Sequence, residues 1–148
     1  MTFKEAVEAT PDVRTCYQAG LQALGGDSRK IRLQDTTKCE GSVDLDGCTR
    51  TIYPQSNRWD YCLSYKNEVF FVEVHTANTT EVSTILRKLQ WLKDWLNHDA
   101  PELAKLKAQS RNPYYWIQSS KFNIPKTSKQ YRLVVQKGIK PISSLNLS

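Results

Sequence analysis

Apolar residues near the start of the chain recur at helical spacing. Residues 3–9 are predicted to form a short helix of their own. Thr10 is a good helix N-cap, and Pro11 suits the first helical position, where its missing N–H costs nothing. A second helix is therefore predicted over residues 10–24, ended by the glycine pair at 25–26. Its apolar side chains are Val13, Cys16, Tyr17, Leu21 and Leu24.

The middle of the chain changes to a period of two, which is typical of strands. Short strands are predicted at Ile31–Leu33 and over residues 41–48, where apolar and acidic side chains alternate. The strongest signal follows, because residues 59–65 and 68–75 are rich in aromatic and β-branched residues and only Lys66 and Asn67 separate them. These two segments predict a β-hairpin with a two-residue loop.

Helical spacing returns after the hairpin. A helix is predicted over residues 78–97, because Asn78 can cap it, Glu81 follows three residues later, and an apolar stripe continues to Leu96. The later segments predict a short helix over 99–106, a strand over 114–118, a helix from Thr127 or Ser128 to Gly138, and a last strand over 142–147. This order predicts one α/β domain, residues 1–148, in which helices flank a mixed β-sheet.

The composition is that of an ordinary globular protein. The chain has 148 residues, of which 39% are hydrophobic and 24% charged, enough for one domain with a substantial core. No apolar run approaches the roughly 18 residues that a membrane span needs. The first residues lack the basic and then apolar pattern of a signal peptide. A cytoplasmic protein without a membrane partner is therefore expected.

Four cysteines, at positions 16, 39, 48 and 62, are compatible with that expectation. None of them forms the closely spaced pair that a zinc site normally uses. We therefore expect four reduced and partly buried thiols, as in a reducing compartment.

Positive charge is concentrated in the last third of the chain. Residues 103–148 contain nine basic residues and no acidic one, whereas the other 102 residues contain twelve basic and fifteen acidic ones. A block of one sign suits a polyanion such as DNA or RNA, although a solvated surface that only aids solubility would look the same. The candidate nucleic-acid-binding residues are Lys121, Lys126, Lys129 and Arg132.

The hairpin brings two acidic residues together. If Lys66 and Asn67 form the loop, Asp60 lies directly opposite Glu73, with Cβ atoms about 5 Å apart on the same face of the sheet. His75, two residues beyond Glu73, shares that face. The less specific alternative is that Asp60 pairs with a basic neighbour such as Arg58 and that Glu73 faces solvent.

Two opposed carboxylates repel each other unless a positive charge lies between them. Mg²⁺ or Mn²⁺ is a suitable ion, because hard divalent cations prefer oxygen ligands and often bind one or two carboxylates together with substrate phosphates. Such an ion polarises a phosphodiester and lowers the pKa of bound water. The N-terminus of the next helix would favour a phosphate near the same place. Asp60 and Glu73 are thus the candidate metal ligands.

The segment from Asp60 to His75, together with its flanking helices, resembles the core of the PD-(D/E)XK nucleases, the restriction-endonuclease-like fold. The similarity covers roughly residues 10–120 and rests on the order and spacing of a short motif. It implies that Asp60 and Glu73 bind the metal and that His75 occupies the place of the motif's lysine. Some members of that superfamily move the lysine to the following helix, so the resemblance also makes Lys88 a candidate.

The same resemblance implies further site residues. Gln90 could line the site from the helix that carries Lys88, although a solvated helix face is the simpler interpretation of both. The first helix offers Gln18 where the superfamily often has a glutamate, and Asp44 is an alternative ligand. The implied function is a metal-dependent nuclease acting on DNA or RNA. The alternatives are a catalytically inactive protein of that fold that binds nucleic acid, or a module that binds a protein partner.

Overall fold

The computed structural model of this chain describes residues 1–120 and 124–148. Within them, the α-helices are α1 (Phe3–Glu8), α2 (Leu45–Thr49), α3 (Val82–His98), α4 (Pro101–Lys105) and α5 (Lys129–Gln136). The strands are β1 (Gln18–Ala19), β2 (Ile31–Leu33), β3 (Gly41–Asp44), β4 (Tyr61–Tyr65), β5 (Glu68–His75), β6 (Tyr114–Gln118), β7 (Ile139–Ile142) and β8 (Leu145–Leu147). Short 3-10 segments occupy Pro11–Val13, Gln22–Lys30, Thr36–Lys38 and Thr79–Glu81.

Six of the strands form one mixed sheet in the order β1-β3-β4-β5-β6-β7. Strands β1, β3, β4 and β5 pair in an antiparallel manner, whereas β6 and β7 run parallel to β5. Helices α3 and α4 connect β5 to β6, as a parallel crossover requires. A separate parallel pair joins β2 to β8. The predicted α/β architecture, a mixed sheet with helices, is confirmed.

The β4–β5 hairpin has the predicted register, with Tyr65 opposite Glu68 and Tyr61 opposite Val72. Lys66 and Asn67 form its loop, and both have positive φ angles, of 50° and 66°. Positive φ at both central positions is the geometry of a type I′ turn, whose twist matches that of the flanking strands. The loop thus fixes which residues of the two strands lie opposite each other.

Both faces of the sheet are buried. On one face, α3 packs through side chains such as Leu89 and Leu92 against Phe71 and Trp116 of the sheet. On the other face, Phe70, Val72, Tyr115 and Ile117 form a second apolar cluster with residues of the β2–β8 pair, Ile31, Leu145 and Leu147. Glu73 lies on the α3 face of the sheet, and Phe70 and Val72 lie on the other.

The predicted helix over residues 10–24 is wrong. Thr10 precedes a 3-10 turn of three residues and makes no side-chain capping bond there, since its hydroxyl donates to the Ala6 carbonyl (2.8 Å) of α1. The chain then forms a short 3-10 turn, the strand β1 and a second 3-10 segment. Gly20 and Gly25 both adopt a φ of 53°, a left-handed conformation that no continuous α-helix contains.

A disulfide bond joins Cys16 to Cys48, across a Cα–Cα distance of 6.3 Å. The expectation of four reduced thiols is therefore wrong for these two residues. Cys39 and Cys62 are free and buried, as expected of cysteines that pack as small apolar side chains.

The later elements agree with the sequence pattern to within a few residues. The predicted strand over 41–48 stops at Asp44, because the Asp44 carboxylate accepts a hydrogen bond from the Gly47 N–H (2.9 Å) and caps α2. The predicted last strand over 142–147 corresponds to β8 (Leu145–Leu147), and β7 (Ile139–Ile142) was not predicted. In the part of the chain that the structure describes, no helix combines the length and the apolar character needed to span a membrane.

Candidate active site

Asp60 and Glu73 meet where β4 and β5 begin to separate. Asp60 directly precedes β4, and its backbone N–H donates to Glu73 Oε2 (2.9 Å). In return, the Val74 N–H donates to Asp60 Oδ2 (3.0 Å). These two reciprocal hydrogen bonds hold the acidic groups side by side at the end of the hairpin pairing.

Lys88 reaches this pair from the second turn of α3. Its Nζ forms an ion pair with Glu73 Oε1 and lies 3.5 Å from Asp60 Oδ1. The cluster is largely shielded, since the exposed fractions of the side chains are 0% for Glu73, 14% for Lys88 and 20% for Asp60. The ammonium of Lys88 therefore supplies the positive charge that the two opposed carboxylates require.

Burial and proximity shift the proton affinities of all three groups. Burial raises the pKa of Glu73 well above its usual range, and the nearby Asp60 charge adds to the effect, although Lys88 opposes it. Burial also raises the pKa of Asp60, against the opposing charge of Lys88. For Lys88, burial alone would lower the pKa, but the charges of Glu73 and Asp60 outweigh it and raise the pKa.

The cluster has one excess negative charge when all three groups are ionised. A buried charge of this kind has to be neutralised by a proton or by a cation. Asp60 and Glu73 offer hard oxygen donors, which fit Mg²⁺ or Mn²⁺ in type and number when substrate phosphates complete the shell. Over residues 1–120 and 124–148, however, no three His, Cys, Asp or Glu side chains converge in a way that could hold a metal ion.

Comparisons of the chain with protein-family models, with curated proteins and with solved structures found no significant match.

His75 and Gln90 have partners outside the cluster. His75 Nε2 lies 2.9 Å from Glu81 Oε2, at the start of the 3-10 turn that leads into α3. Gln90 is exposed, and its side-chain amide donates to Asp94 Oδ1 (3.0 Å) one turn along α3. The expectation that Gln90 lines the site is not met, because a step of two residues along an α-helix turns it away from Lys88.

Asp44 and Gln18 lie together, but elsewhere. They line a groove of about 360 Å³ beside the Cys16–Cys48 disulfide. Asp44 pairs with Tyr61 in the sheet, one residue out of phase with Asp60. Because successive strand residues point to opposite faces, this register places Asp44 on the face opposite Glu73. The structure therefore does not bring the two predicted additional residues to the carboxylate pair.

Arg58 was the alternative partner considered for Asp60. Its Nε instead donates to Asp46 Oδ1 (2.9 Å), and its Nη1 donates to the Tyr53 carbonyl (2.6 Å). The positive charge nearest Asp60 is thus that of Lys88, and Arg58 fixes the loop between α2 and β4. The fully buried Glu73 likewise excludes the alternative of a solvent-facing strand residue.

The predicted nucleic-acid-binding residues lie on and before α5. Lys126, Lys129 and Arg132 are all exposed. Lys126 also lines a groove of about 360 Å³ beside β7 and β8. Lys121, the fourth predicted residue, lies outside the described residues.

Gln118 is a residue on the same sheet face as Glu73 that the sequence did not single out. It ends β6 and pairs with His75, which places it on the face that carries Glu73. Its Oε1 is buried and has no hydrogen-bond partner among the residues the structure describes. A buried acceptor without a partner needs an explanation, and a bound donor or ion is one. No sequence signal marks it, because a glutamine at a strand end has no motif.

Proposed function

We propose that this protein is a divalent-metal-dependent nuclease that hydrolyses phosphodiester bonds of DNA or RNA, with Asp60, Glu73 and Lys88 as its reactive residues. The observation that carries the proposal is the contact of one lysine with both carboxylates. Two acids and a lysine are the residue types of the PD-(D/E)XK motif that the sequence resembles, with the lysine contributed by the helix after the Glu73 strand.

The order of the elements supports the same proposal. An antiparallel meander, β3-β4-β5, is followed by α3 and then by β6, which pairs in parallel with β5. The resemblance implies such a strand meander followed by a helix, with the first acid at the start of one strand and the second acid within the next. Asp60 directly precedes β4 and Glu73 lies within β5, which is compatible with that order.

Each residue has a defined task in this proposal. Asp60 and Glu73 would hold Mg²⁺ or Mn²⁺, which when bound polarises the phosphodiester and lowers the pKa of a bound water. Lys88 remains protonated, because its pKa is raised by the two carboxylates. Its ammonium can thus orient the attacking water and stabilise the negative charge that develops on the phosphate oxygens.

Cleavage assays with Mn²⁺ and Mg²⁺ on single- and double-stranded DNA and RNA test the proposal. We expect metal-dependent cleavage by the wild type and a loss of about 10²–10³-fold in Lys88→Met, the magnitude typical of one transition-state electrostatic contact. Glu73→Gln should lose activity to at least the same extent. Arg87→Met is the matched control, because Arg87 is exposed on the same helix and its side chain bonds to Thr84 rather than to the carboxylate cluster. Metal-loaded wild type that cleaves none of the substrates would contradict the proposal, and so would full activity in Lys88→Met.

One observation favours a second candidate, a catalytically inactive protein that binds nucleic acid. Glu73 is fully buried, and each of its carboxylate oxygens already has a partner, Lys88 for Oε1 and the Asp60 N–H for Oε2. The trio would then be a structural ion-pair network. Calorimetry with Mn²⁺ separates the two candidates, because only the nuclease should show a binding heat that Glu73→Ala abolishes. A cytoplasmic location and a protein partner stay predictions alongside both candidates.

A further inference from the structure

We infer that a groove between α3, α4 and the start of β6 binds phosphate groups of a nucleic-acid backbone. The groove has a volume of about 400 Å³. Its lining comprises two lysines, an asparagine, a tyrosine and two apolar side chains, namely Lys93, Lys107, Asn97, Tyr114, Leu96 and Ala104. This site is distinct from the carboxylate cluster, and the inference does not depend on catalysis there.

The two lysines of the groove are directed at the same ring. Lys93 Nζ lies 5.5 Å and Lys107 Nζ 5.7 Å from the centroid of the Tyr114 ring. Two ammonium groups at one ring repel each other, and a shared anion removes that repulsion. No carboxylate is among the residues that line the groove, so none of them balances the two ammonium charges. A bound anionic ligand would balance them.

A third lysine increases the positive potential. Lys93 Nζ lies 3.4 Å from the backbone carbonyl of Lys137, at the C-terminal cap of α5. Burial lowers the pKa of Lys93, and the positive charges of Lys107 and Lys137 lower it further. Three cations from separate elements therefore act on one small region of the surface.

The groove is held by the fold. Lys93 lies in the last third of α3. Lys107 is fixed by the hydrogen bonds on either side of it, since the Val69 N–H donates to the Leu106 carbonyl (2.8 Å) and the Ala108 N–H donates to the Val69 carbonyl (2.9 Å). The cationic side chains thus project from backbone positions that need no rearrangement on binding, which lowers the entropic cost of association.

The nucleic-acid backbone is the ligand that the charge distribution favours. Lys107 and Lys137 belong to the segment 103–148, which has nine basic residues and no acidic one. A single small anion would need only the groove, whereas a chain of phosphates also matches the basic surface that continues along α5. Asn97 adds a neutral hydrogen-bond donor of the kind that contacts phosphate oxygens.

The test compares a labelled single-stranded oligonucleotide with inorganic pyrophosphate, both in EDTA so that no metal-dependent cleavage occurs. The Asn97 side-chain amide, followed by NMR, reports on the groove. We expect saturable shifts with the oligonucleotide in the wild type and their loss in Lys93→Gln/Lys107→Gln. The double variant should also reduce the slope of log K against log salt by about 2, close to 1 per lost phosphate contact.

A charge-matched double variant, Lys38→Gln/Lys105→Gln, is the control. Lys38 is exposed, Lys105 pairs with Glu102 on α4, and neither lysine is among the residues that line the groove. It should keep the Asn97 shifts and nearly all of the salt slope. Equal losses in both double variants would overturn the inference, as would the absence of any shift. Shifts with pyrophosphate but none with the oligonucleotide would also overturn it, since the groove would then take a small phosphate compound.

Discussion

At the scale of single residues, Glu73 is the acidic side chain that the fold buries completely, among the residues the structure describes. Its side chain is fully buried in the central strand of the sheet, beside a second carboxylate and one lysine. Desolvation disfavours the ionised form, and Asp60 disfavours it further. Glu73 therefore keeps its proton to a higher pH in the folded chain than in the unfolded chain, where the usual value is 4.5.

This difference predicts how stability changes with pH. Above the usual pKa of 4.5, the unfolded chain releases the Glu73 proton while the folded chain retains it. The folded state then binds more protons, so the free energy of unfolding falls as pH rises, until the raised pKa is passed. Glu73→Gln should flatten this fall. Urea unfolding measured at several pH values between about 4.5 and 8 checks it.

Glu102→Gln is the control for this prediction, because it removes one glutamate from a partly exposed pair with Lys105, outside the carboxylate cluster. Parallel pH profiles for the wild type and Glu73→Gln would contradict the predicted role of burial. Asp60 contributes a fall of the same sign, since its pKa is also raised, so the variant should reduce the slope without abolishing it.

Lys88 shows what a sequence pattern can and cannot reveal about such a residue. It is three residues after Ile85 and four before Leu92, so it occupies the buried stripe of α3. That spacing was a usable signal that Lys88 is not on the solvated face. The sequence does not show how far the side chain reaches across to the hairpin, which depends on the packing of α3 on the sheet. His75, by contrast, was placed on the right face but is paired with Glu81.

At the scale of elements, the hairpin was predictable and the segment 10–24 was not. Strand register follows from the two-residue loop and the alternation of side chains, which are local properties. The apolar residues of 10–24 pack on different faces of the sheet. Val13 packs in the core on the α3 side, and Leu24 packs in the cluster on the opposite side. Their helical spacing therefore did not reflect one apolar face, and a disulfide at Cys16 adds a constraint from outside the segment.

The Cys16–Cys48 disulfide predicts a large contribution to stability. It closes a loop with a sequence separation of 32 residues, and restricting the unfolded chain in this way is worth about 3–4 kcal/mol on the loop-entropy estimate. Cys16→Ser/Cys48→Ser should lose about that much free energy of unfolding, and reduction of the wild type should cause the same loss. Four reactive thiols in the unfolded, non-reduced protein would contradict the bond, whereas two are expected from Cys39 and Cys62.

The same bond bears on where the protein works. Disulfides persist in oxidising compartments and are rare in a reducing cytoplasm. A persistent Cys16–Cys48 bond is therefore in conflict with the expected cytoplasmic location. In a reducing cytoplasm the protein would have to stay folded with both cysteines reduced.

At the scale of the whole molecule, charge is divided between two parts of the sequence. The segment 103–148 has a net charge of +9, from nine basic residues and no acidic one, while residues 1–102 have a net charge of −3, from twelve basic and fifteen acidic ones. The exposed Lys126, Lys129 and Arg132 present part of this excess around α5. A surface of one sign releases counterions when it binds a polyanion, so binding should weaken steeply with salt.

This division of charge predicts that α5 contributes to nucleic-acid binding whether or not the carboxylate cluster is catalytic. Replacing Lys126, Lys129 and Arg132 together by Gln should reduce the salt slope of oligonucleotide binding by about 3, near 1 per phosphate contact.

A second triple variant is the control. It removes two exposed lysines and an exposed arginine from residues 1–102, at Lys4, Arg14 and Lys38. Fluorescence anisotropy in EDTA at several salt concentrations compares the two. Because both variants lose the same charge, equal changes in slope would mean that net charge alone attracts the nucleic acid and that α5 is not part of the binding surface. A salt-independent or undetectable affinity in the wild type would instead favour a protein partner over nucleic acid.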